Sequence, residues 1–399
     1  MTIKPQKYPN RLKQAIKESG YTIEGIAAET DIPVRTLFDY CAGRVPVPKD
    51  RLNLLAHALG YPTDYLLLKT AKEEEKVRAD TEDQVSTSEK ERLTLSVHKA
   101  GHLQEWLIDS IEDGTHLRWQ LYYTSRNTLT NDGLRGQITK LEFLADEGKE
   151  DCERICRVLA QNYQLAGSLA RDKFQYSAAK DYFSKAKKVI DVEAVPDMGA
   201  TAIARHALVY LRQGQNHLGK ALRLYKDAAT VATHATHHVR AYVLSGLAEA
   251  HARNGDKDEC YRLLDQADQY LNPSQGMPLE EDSAYVYPTL QSLEDARGEC
   301  YVLLGEVDKG LHYLQSAQKQ LDQKISRNRC RLLMQHAEAF FVSGQPDQCV
   351  KYTIEGLQLA RMIESASNIH WSYEIYDKLR FSAWKNERAV KELEEVLKG

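Results

Sequence analysis

Long apolar runs are missing from this chain of 399 residues. No stretch approaches the roughly 18 consecutive apolar residues that a membrane-spanning helix needs, and the opening segment, MTIKPQKYPNRLKQ, lacks the apolar core of a secretory signal. We therefore expect a cytoplasmic protein that does not contact a membrane. The apolar fraction of 42% and the charged fraction of 28% are those of an ordinary folded chain.

Cysteine is scarce and shows no pairing pattern. Seven cysteines are scattered along the chain without a Cys-x-x-Cys spacing: Cys41, Cys152, Cys156, Cys260, Cys300, Cys330 and Cys349. Their odd number and wide spacing argue against a disulfide framework and against a zinc knuckle. We interpret all of them as small, buried helix residues.

Signatures of catalysis are also lacking. The chain has neither a Gly-rich phosphate loop nor a Gly-x-Ser-x-Gly elbow, so we expect neither an enzyme nor a bound cofactor. His234 and His238 have the i, i+4 spacing of a metal pair, but no cysteine or acidic third ligand stands close to them in the sequence. We therefore expect no metal site.

Strand signals are equally scarce, and helical periodicity dominates. Long alternating β-patterns are absent, and five of the 11 prolines precede residue 50. Beyond the first quarter of the chain, apolar residues recur almost everywhere at a 3.6-residue period. The sequence therefore predicts an all-α fold.

Charge is distributed unevenly along the chain. Residues 1–69 contain ten Lys and Arg against seven Asp and Glu, which leaves a formal charge of −7 for the remainder of a chain whose total is −4. The N-terminal part can therefore approach phosphate groups, whereas the remainder as a whole repels them. Between the two, residues 70–92 are highly charged and nearly devoid of apolar side chains, which predicts a charged linker.

The N-terminal part carries the start and stop signals of short helices. The pattern predicts helices at 10–19, at 23–30 with Thr22 as N-cap, and at 34–42 with Gly43 ending the third. Two short helices joined by a tight turn form a helix-turn-helix unit, whose second helix can enter the major groove of DNA. We predict a helix-turn-helix DNA-binding domain over residues 1–69.

This domain resembles the phage-repressor (Xre/Cro-like) family. The resemblance rests on core and turn positions of the bundle: Ala27, Ile32, Leu37, Tyr40, Gly43, Pro46, Leu52, Leu55, Ala56 and Leu59. It implies that the third helix presents four side chains to base edges, namely Val34, Arg35, Phe38 and Asp39. It also implies three phosphate contacts, from Arg44, Lys49 and Arg51. The alternative is that these exposed residues only solvate a bundle that acts as a protein-protein adaptor.

A helical hairpin recurs along the rest of the chain, most clearly at 161–192. Equivalent positions in the second helices, at Ala179, Ala221, Cys260, Gly310 and Cys349, are 42, 39, 50 and 39 residues apart. The units resemble the tetratricopeptide repeat, in which small residues let two antiparallel helices approach closely. The resemblance predicts an α-solenoid of divergent repeats in three parts: a helical connecting or capping region at 93–157, the repeat array at 158–372 and capping helices at 373–399.

A helix-turn-helix domain followed by such an array resembles the bacterial peptide-pheromone receptor regulators (RRNPP-type). The resemblance implies that the repeats dimerise and bind a short intracellular signalling peptide in the groove lined by their first helices. The lining positions would be Gln161, Gln164, Arg171, His206, Tyr210, Gln213, Tyr242, Ser245, Glu249, Asp295, Glu299 and Glu338. Their amide groups suit a peptide backbone, and the acidic end would favour a cationic partner. The alternative is that the groove is polar only because it faces water.

The sequence therefore favours a transcriptional regulator that binds double-stranded DNA as a homodimer and responds to a short peptide. A second hypothesis is a non-enzymatic scaffold, in which the repeats bind a partner protein and the N-terminal domain is an adaptor. A third is that the array senses nothing and only holds the dimer together.

Overall fold

The computed structural model describes residues 8, 10–19, 22–30, 32–59, 66, 101–146, 152–271, 284–286 and 290–398. These ranges contain helices and no strand, which confirms the all-α fold class. None of the helices in them is both long and apolar enough to cross a membrane. The chain divides into an N-terminal unit, Met1–Asp83, and a repeat unit, Gln84–Gly399. The predicted linker at 70–92 lies outside the described residues.

Four helices build the N-terminal unit: α1 (Leu12–Ser19), α2 (Ile23–Thr30), α3 (Val34–Cys41) and α4 (Lys49–Leu59). Thr22 caps α2, because its Oγ1 accepts from the backbone N–H of Gly25 at 3.0 Å. Gly43 has a φ of +60° just beyond the end of α3, where a side chain would be strained. The bundle core includes the fully buried Leu37 and Leu55. The predicted bounds of α2 are confirmed, and α3 is one residue shorter than predicted.

The described part of the repeat unit contains fifteen further α-helices. They are α5 (Gly101–Thr124), α6 (Asn127–Asn131), α7 (Leu134–Asp146), α8 (Cys152–Asp172), α9 (Tyr176–Lys188), α10 (Pro196–Leu211), α11 (Leu218–Ala232), α12 (His237–Asn254), α13 (Lys257–Leu271), α14 (Leu290–Leu303), α15 (Val307–Gln320), α16 (Ser326–Val342), α17 (Pro346–Met362), α18 (Ala366–Arg380) and α19 (Arg388–Lys398).

Five helical hairpins form the array: α8/α9, α10/α11, α12/α13, α14/α15 and α16/α17. The first helices of successive hairpins contact one another, and α16 contacts α18 in the same way. Small residues permit the close packing: a Cβ on Gly246 of α12 would lie 2.5 Å from a ring carbon of Tyr225, and one on Gly167 of α8 would lie 2.9 Å from the ring of Phe183. The first helices therefore form a continuous layer, whose solvent-facing side we call the inner surface.

Helices α5 to α7 cover the start of this array. Helix α7 packs on α8, whereas α5 contacts both α8 of the first hairpin and α16 of the fifth. Trp119 and Tyr122 of α5 are buried core residues, but Trp106 is 66% exposed.

A buried polar cluster joins the first hairpin to the end of the fifth. Asp172, at the end of α8, accepts hydrogen bonds from Asn127 Nδ2 at 2.6 Å, Ser365 Oγ at 2.6 Å and Ser367 Oγ at 2.5 Å. Arg327 of α16 lies 3.4 Å from the same carboxylate and donates to Asn127 Oδ1 at 2.6 Å. We call these five residues the closure cluster, because they connect hairpins that are far apart in sequence.

Apolar contacts support the closure cluster. The ring of Phe174, in the turn after α8, meets the ring of His370 in α18 edge to face, with centroids 5.2 Å apart. Ala366 also packs on the core beside Phe174. Phe174 has a φ of +59° and Glu364 one of +56°, so both sides of the junction contain a non-glycine residue in the left-handed region.

Two of the cysteines depart from expectation. Cys152 is exposed and Cys156 is half-buried, whereas the other five are buried. The reason is their place in the first turns of α8, where Glu153 and Arg157 are exposed as well. The interpretation of all seven as buried residues is therefore wrong for these two.

Replacement of Asp172 tests the closure cluster. We expect Asp172→Ala to lower the free energy of unfolding by about 3 kcal/mol, because Arg327 and three other donors lose a buried acceptor. The measurement is urea unfolding followed by circular dichroism. Asp181→Ala is the matched control, because Asp181 is exposed and its one ion pair within the described residues is with Lys185 at i, i+4, 3.5 Å away. Equal stability of the two variants would contradict the role of the cluster.

Candidate DNA-reading helix and inner charged surface

Helix α3 presents one face to solvent and the other to the core. Val34 is 37% exposed and Phe38 is 46% exposed, with Arg35 exposed between them. Leu37 and Tyr40 are buried on the opposite face. Exposed apolar side chains beside an arginine suit base edges and thymine methyl groups. The structure thus brings three of the four predicted base-reading residues to one open face.

The fourth predicted base-reading residue is engaged within the chain. The Asp39 carboxylate lies 3.2 Å from Arg44 Nε, so a predicted base contact and a predicted phosphate contact form an ion pair. Arg51 donates from Nη1 to the hydroxyl of Tyr40 at 3.1 Å, which orients its guanidinium. Lys49 is exposed at the first position of α4. The phosphate-contact set is therefore grouped around the end of α3 and the start of α4.

Charged side chains line the inner surface of the repeat unit across several hairpins. Arg253 of α12 donates to Glu249 Oε1 at 2.9 Å and to Glu299 Oε1 of α14 at 3.1 Å. Arg212, just beyond α10, lies 3.3 Å from Glu249 and 3.8 Å from Glu299. Two arginines and two glutamates thus bridge three successive first helices.

The same network continues to the fifth hairpin. Arg331 of α16 pairs with Asp295 of α14, and Gln335 Nε2 donates to Glu299 Oε2 at 2.6 Å. We call the whole set the inner ladder: Arg212, Glu249, Arg253, Asp295, Glu299, Arg331 and Gln335. Three of its buried polar atoms have no hydrogen-bond partner among the described residues: Asp295 Oδ1, Arg331 Nε and Gln335 Oε1. Buried polar atoms are nearly always paired in folded proteins, so these mark a place where a ligand or water would bind.

The two glutamates of the ladder differ in acidity. Burial opposes ionisation of Glu249, but Arg212 and Arg253 outweigh it and lower its pKa to about 2. Burial and the charge of Glu249 together raise the pKa of Glu299. The arginines therefore compensate one carboxylate more fully than the other.

Part of the inner surface near the first two hairpins is covered by the chain itself. Arg205 of α10 donates to Gln164 Oε1 at 2.7 Å and to the carbonyl of Tyr285 at 2.9 Å. The Tyr285 ring stacks on Trp119 with centroids 5.3 Å apart, and Arg205 lies over Trp119. Gln164 is thus occupied within the fold, whereas the arginines of the inner ladder remain 29–37% exposed.

The predicted lining residues divide between two faces. Seven of them lie on first helices with the inner ladder: Arg171, Tyr242, Ser245, Glu249, Asp295, Glu299 and Glu338. Arg171 Nη2 lies 3.5 Å from the Tyr122 hydroxyl. Ser245 Oγ donates to the carbonyl of Ala241 at 2.8 Å, and Glu338 accepts from Lys378 at 2.7 Å. Gln161 is half-buried in α8, and Gln213 lies in the turn after α10.

His206 and Tyr210 point away from the inner ladder, which corrects their predicted position. The His206 ring lies 6.4 Å from Phe183 of α9 and 5.4 Å from Tyr210. Lys180 of α9 and Lys220 of α11 lie over the Tyr210 ring at 5.1 and 4.5 Å. Successive side chains of a helix point in directions about 100° apart. Arg205, the residue before His206, is therefore the one that faces the inner surface.

The arginines of the inner ladder were not predicted from the sequence. The acidic residues Glu249, Asp295 and Glu299 were predicted to line the groove, but their partners Arg253 and Arg331 were not. A buried carboxylate requires a compensating charge, and Arg253 follows Glu249 by four positions on the same helix. That spacing was the available signal. The predicted preference for a cationic partner is not supported, because the acids are already paired.

A helix-turn-helix family matches the N-terminal part of the chain. Residues 12–66 match the helix-turn-helix family HTH_3, which places a helix-turn-helix domain in the N-terminal unit. A crystal structure of the P58(IPK) TPR domain aligns with 97% of this chain and 98% of its own length, at 12% sequence identity and a TM-score of 0.23. That similarity is too low to carry a structural or functional argument. No curated protein matches the chain.

The environment of His206 predicts a pH effect on stability. Burial and the charges of Lys220, Lys180 and Lys187 lower the pKa of His206 to about 4. Between that value and the ordinary pKa near 6.5, the unfolded chain binds a proton that the folded chain does not. Stability is therefore lost as the pH falls through this window.

The free energy of unfolding of the unsubstituted protein should fall between pH 7 and pH 5. We expect this fall to be about 1 kcal/mol smaller in His206→Phe. Urea unfolding at the two pH values measures the difference. His312→Phe, at an exposed position of α15, is the control. If the free energy of unfolding changed equally with pH in His206→Phe and in the unsubstituted chain, the pKa of His206 would not be lowered by folding.

Proposed function

We propose that this chain is a DNA-binding transcriptional regulator in which α3 reads base edges in the major groove. The carrying observation is the open face of α3, where Val34, Arg35 and Phe38 are exposed while Leu37 and Tyr40 form the core. Arg35 suits a forked contact to guanine, and the apolar pair suits thymine methyl groups. The family match over residues 12–66 supports the same role.

We further propose that the repeat unit binds a short peptide on its inner surface. Among the described residues, the inner ladder leaves two acceptors and one donor without hydrogen-bond partners, at Asp295, Gln335 and Arg331. A peptide backbone offers both N–H donors and C=O acceptors, so it complements this set. Arg331 is 37% exposed and Asp295 is fully buried, which places the unpaired atoms at the floor of an accessible surface.

Dimerisation and the absence of catalysis belong to the same proposal. A homodimer would carry two copies of α3 and would read a palindromic site. A peptide that binds one arrangement of the dimer more tightly than another would shift the equilibrium between them. The change in DNA affinity would be limited by the difference between the two peptide-binding free energies. The role is regulatory and cytoplasmic, without an enzymatic step.

A scaffold is the competing function. In that case the N-terminal unit is an adaptor, and the exposed Phe38 and Val34 contact a protein. The two functions differ in a measurable way, because phosphate contacts make DNA binding weaken with salt. An adaptor shows no duplex binding at any ionic strength.

Replacement of Arg35 tests DNA reading. Duplexes bound by the full chain are first selected from random sequences, and affinity is then measured by fluorescence anisotropy at several salt concentrations. We expect Arg35→Ala to weaken specific binding by about 2 kcal/mol, roughly thirty-fold, and to relax the base preference at one position. Arg329→Ala, at an exposed site of α16, should bind like the unsubstituted chain. Failure to select any duplex would refute the proposed function.

Replacement of Gln335 tests the peptide site. A peptide library is screened by thermal shift against the full chain, since a ligand of the native state raises the melting temperature. We expect Gln335→Leu to weaken the peptide found in this way about ten-fold, because a buried acceptor is lost. Gln358→Leu, exposed on α17, is the control. A peptide bound equally by both variants would place the site elsewhere.

A further inference from the structure

Positive charge in the array is concentrated on two second helices. Helix α9 has four lysines against one aspartate, and α11 has two lysines and an arginine against one aspartate. The next second helix, α13, has the opposite balance, with four acidic residues against two basic ones. The surface of the first two hairpins is therefore basic within a region that is acidic as a whole.

Two of these lysines converge on one aromatic ring, and a third contributes to the positive potential beside it. Lys180 and Lys220 come from different helices, yet both lie over the ring of Tyr210, at 5.1 and 4.5 Å. The Tyr210 ring stacks on His206. Burial lowers the pKa of His206, and the charges of Lys220, Lys180 and Lys187 lower it further, which indicates a positive potential at this point. The aromatic face holds together cations that otherwise repel one another.

The charges of this surface are not neutralised within the fold. Neither Lys180 nor Lys187 nor Lys220 forms an ion pair with a carboxylate in the part of the chain that the structure describes. Lys185, by comparison, lies 3.5 Å from Asp181. We call Lys180, Lys187 and Lys220 the basic patch.

We propose that the basic patch binds backbone phosphates of the DNA that the N-terminal unit reads, as a second phosphate-contacting surface. This inference rests on the proposed function. Duplex DNA is favoured over an acidic protein because its phosphates repeat at regular intervals and can be contacted by lysines on two separate helices, α9 and α11. Such phosphate contacts also require no particular sequence. The acidic remainder of the repeat unit repels DNA, so the patch also restricts the face that approaches it.

The test is the salt dependence of DNA binding by the full chain. The slope of log K against log salt falls by about 0.9 for each phosphate contact that is lost. We expect the triple variant Lys180→Gln, Lys187→Gln and Lys220→Gln to have a slope shallower by two to three such steps. The duplex should extend well beyond the selected site on both sides.

A charge-matched control separates local contact from net charge. Lys319→Gln, Lys324→Gln and Lys351→Gln remove three exposed lysines from other parts of the array, and this variant should keep the original slope. Circular dichroism verifies that both triple variants retain their helices. Equal slopes for the two variants would overturn the proposal.

Two further outcomes are informative. If the unsubstituted chain binds no duplex, the proposed function itself fails, and that result is distinct from equal slopes in chains that do bind. If polyglutamate binds the unsubstituted chain and not the basic-patch variant, while the DNA slopes stay equal, the patch serves an acidic protein and the DNA assignment is wrong.

Discussion

The Asp172 carboxylate accepts hydrogen bonds from Asn127, Ser365 and Ser367 and pairs with Arg327. Through it, the turn of the first hairpin is bonded to the fifth hairpin and to the start of α18. A buried carboxylate is costly unless it is fully paired, so the array is held in the arrangement that supplies all four partners. The path of the first helices, and with it the geometry of the inner surface, depends on that constraint.

The inner ladder follows the same physical rule over a larger area. Glu249, Glu299 and Asp295 are buried, and each has an arginine or amide partner from another hairpin: Arg212 for Glu249, Arg253 and Gln335 for Glu299, and Arg331 for Asp295. Because these pairs join different hairpins, a small shift between hairpins would change several of them at once. A ligand bound at Asp295, Arg331 and Gln335 would therefore act on the relative positions of α14 and α16, and this is a physical route from binding to a change elsewhere in the array.

The two surfaces of the array suit different ligands. The inner surface pairs acids with arginines and leaves a few buried groups for hydrogen bonding, which suits a neutral backbone. The basic patch around Tyr210 consists of lysines that have no acidic partner among the described residues, which suits phosphate. His206 and Tyr210 thus lie on the face opposite to the one predicted for them.

The sequence by itself determined the local structure. Thr22, Pro33 and Gly43 set the ends of α2 and α3, because caps and turns depend on side-chain and backbone chemistry within a few residues. The spacing of small residues predicted the hairpins, and the resemblance to the phage-repressor family predicted which face of α3 is open. Tertiary structure alone decided which residues meet across the array: the pairing of Asp172 with Ser365, the arginine partners of the acids, and the outward direction of His206. These depend on how hairpins distant in sequence pack against one another, and on a helical register in which a shift of one residue turns a side chain by about 100°.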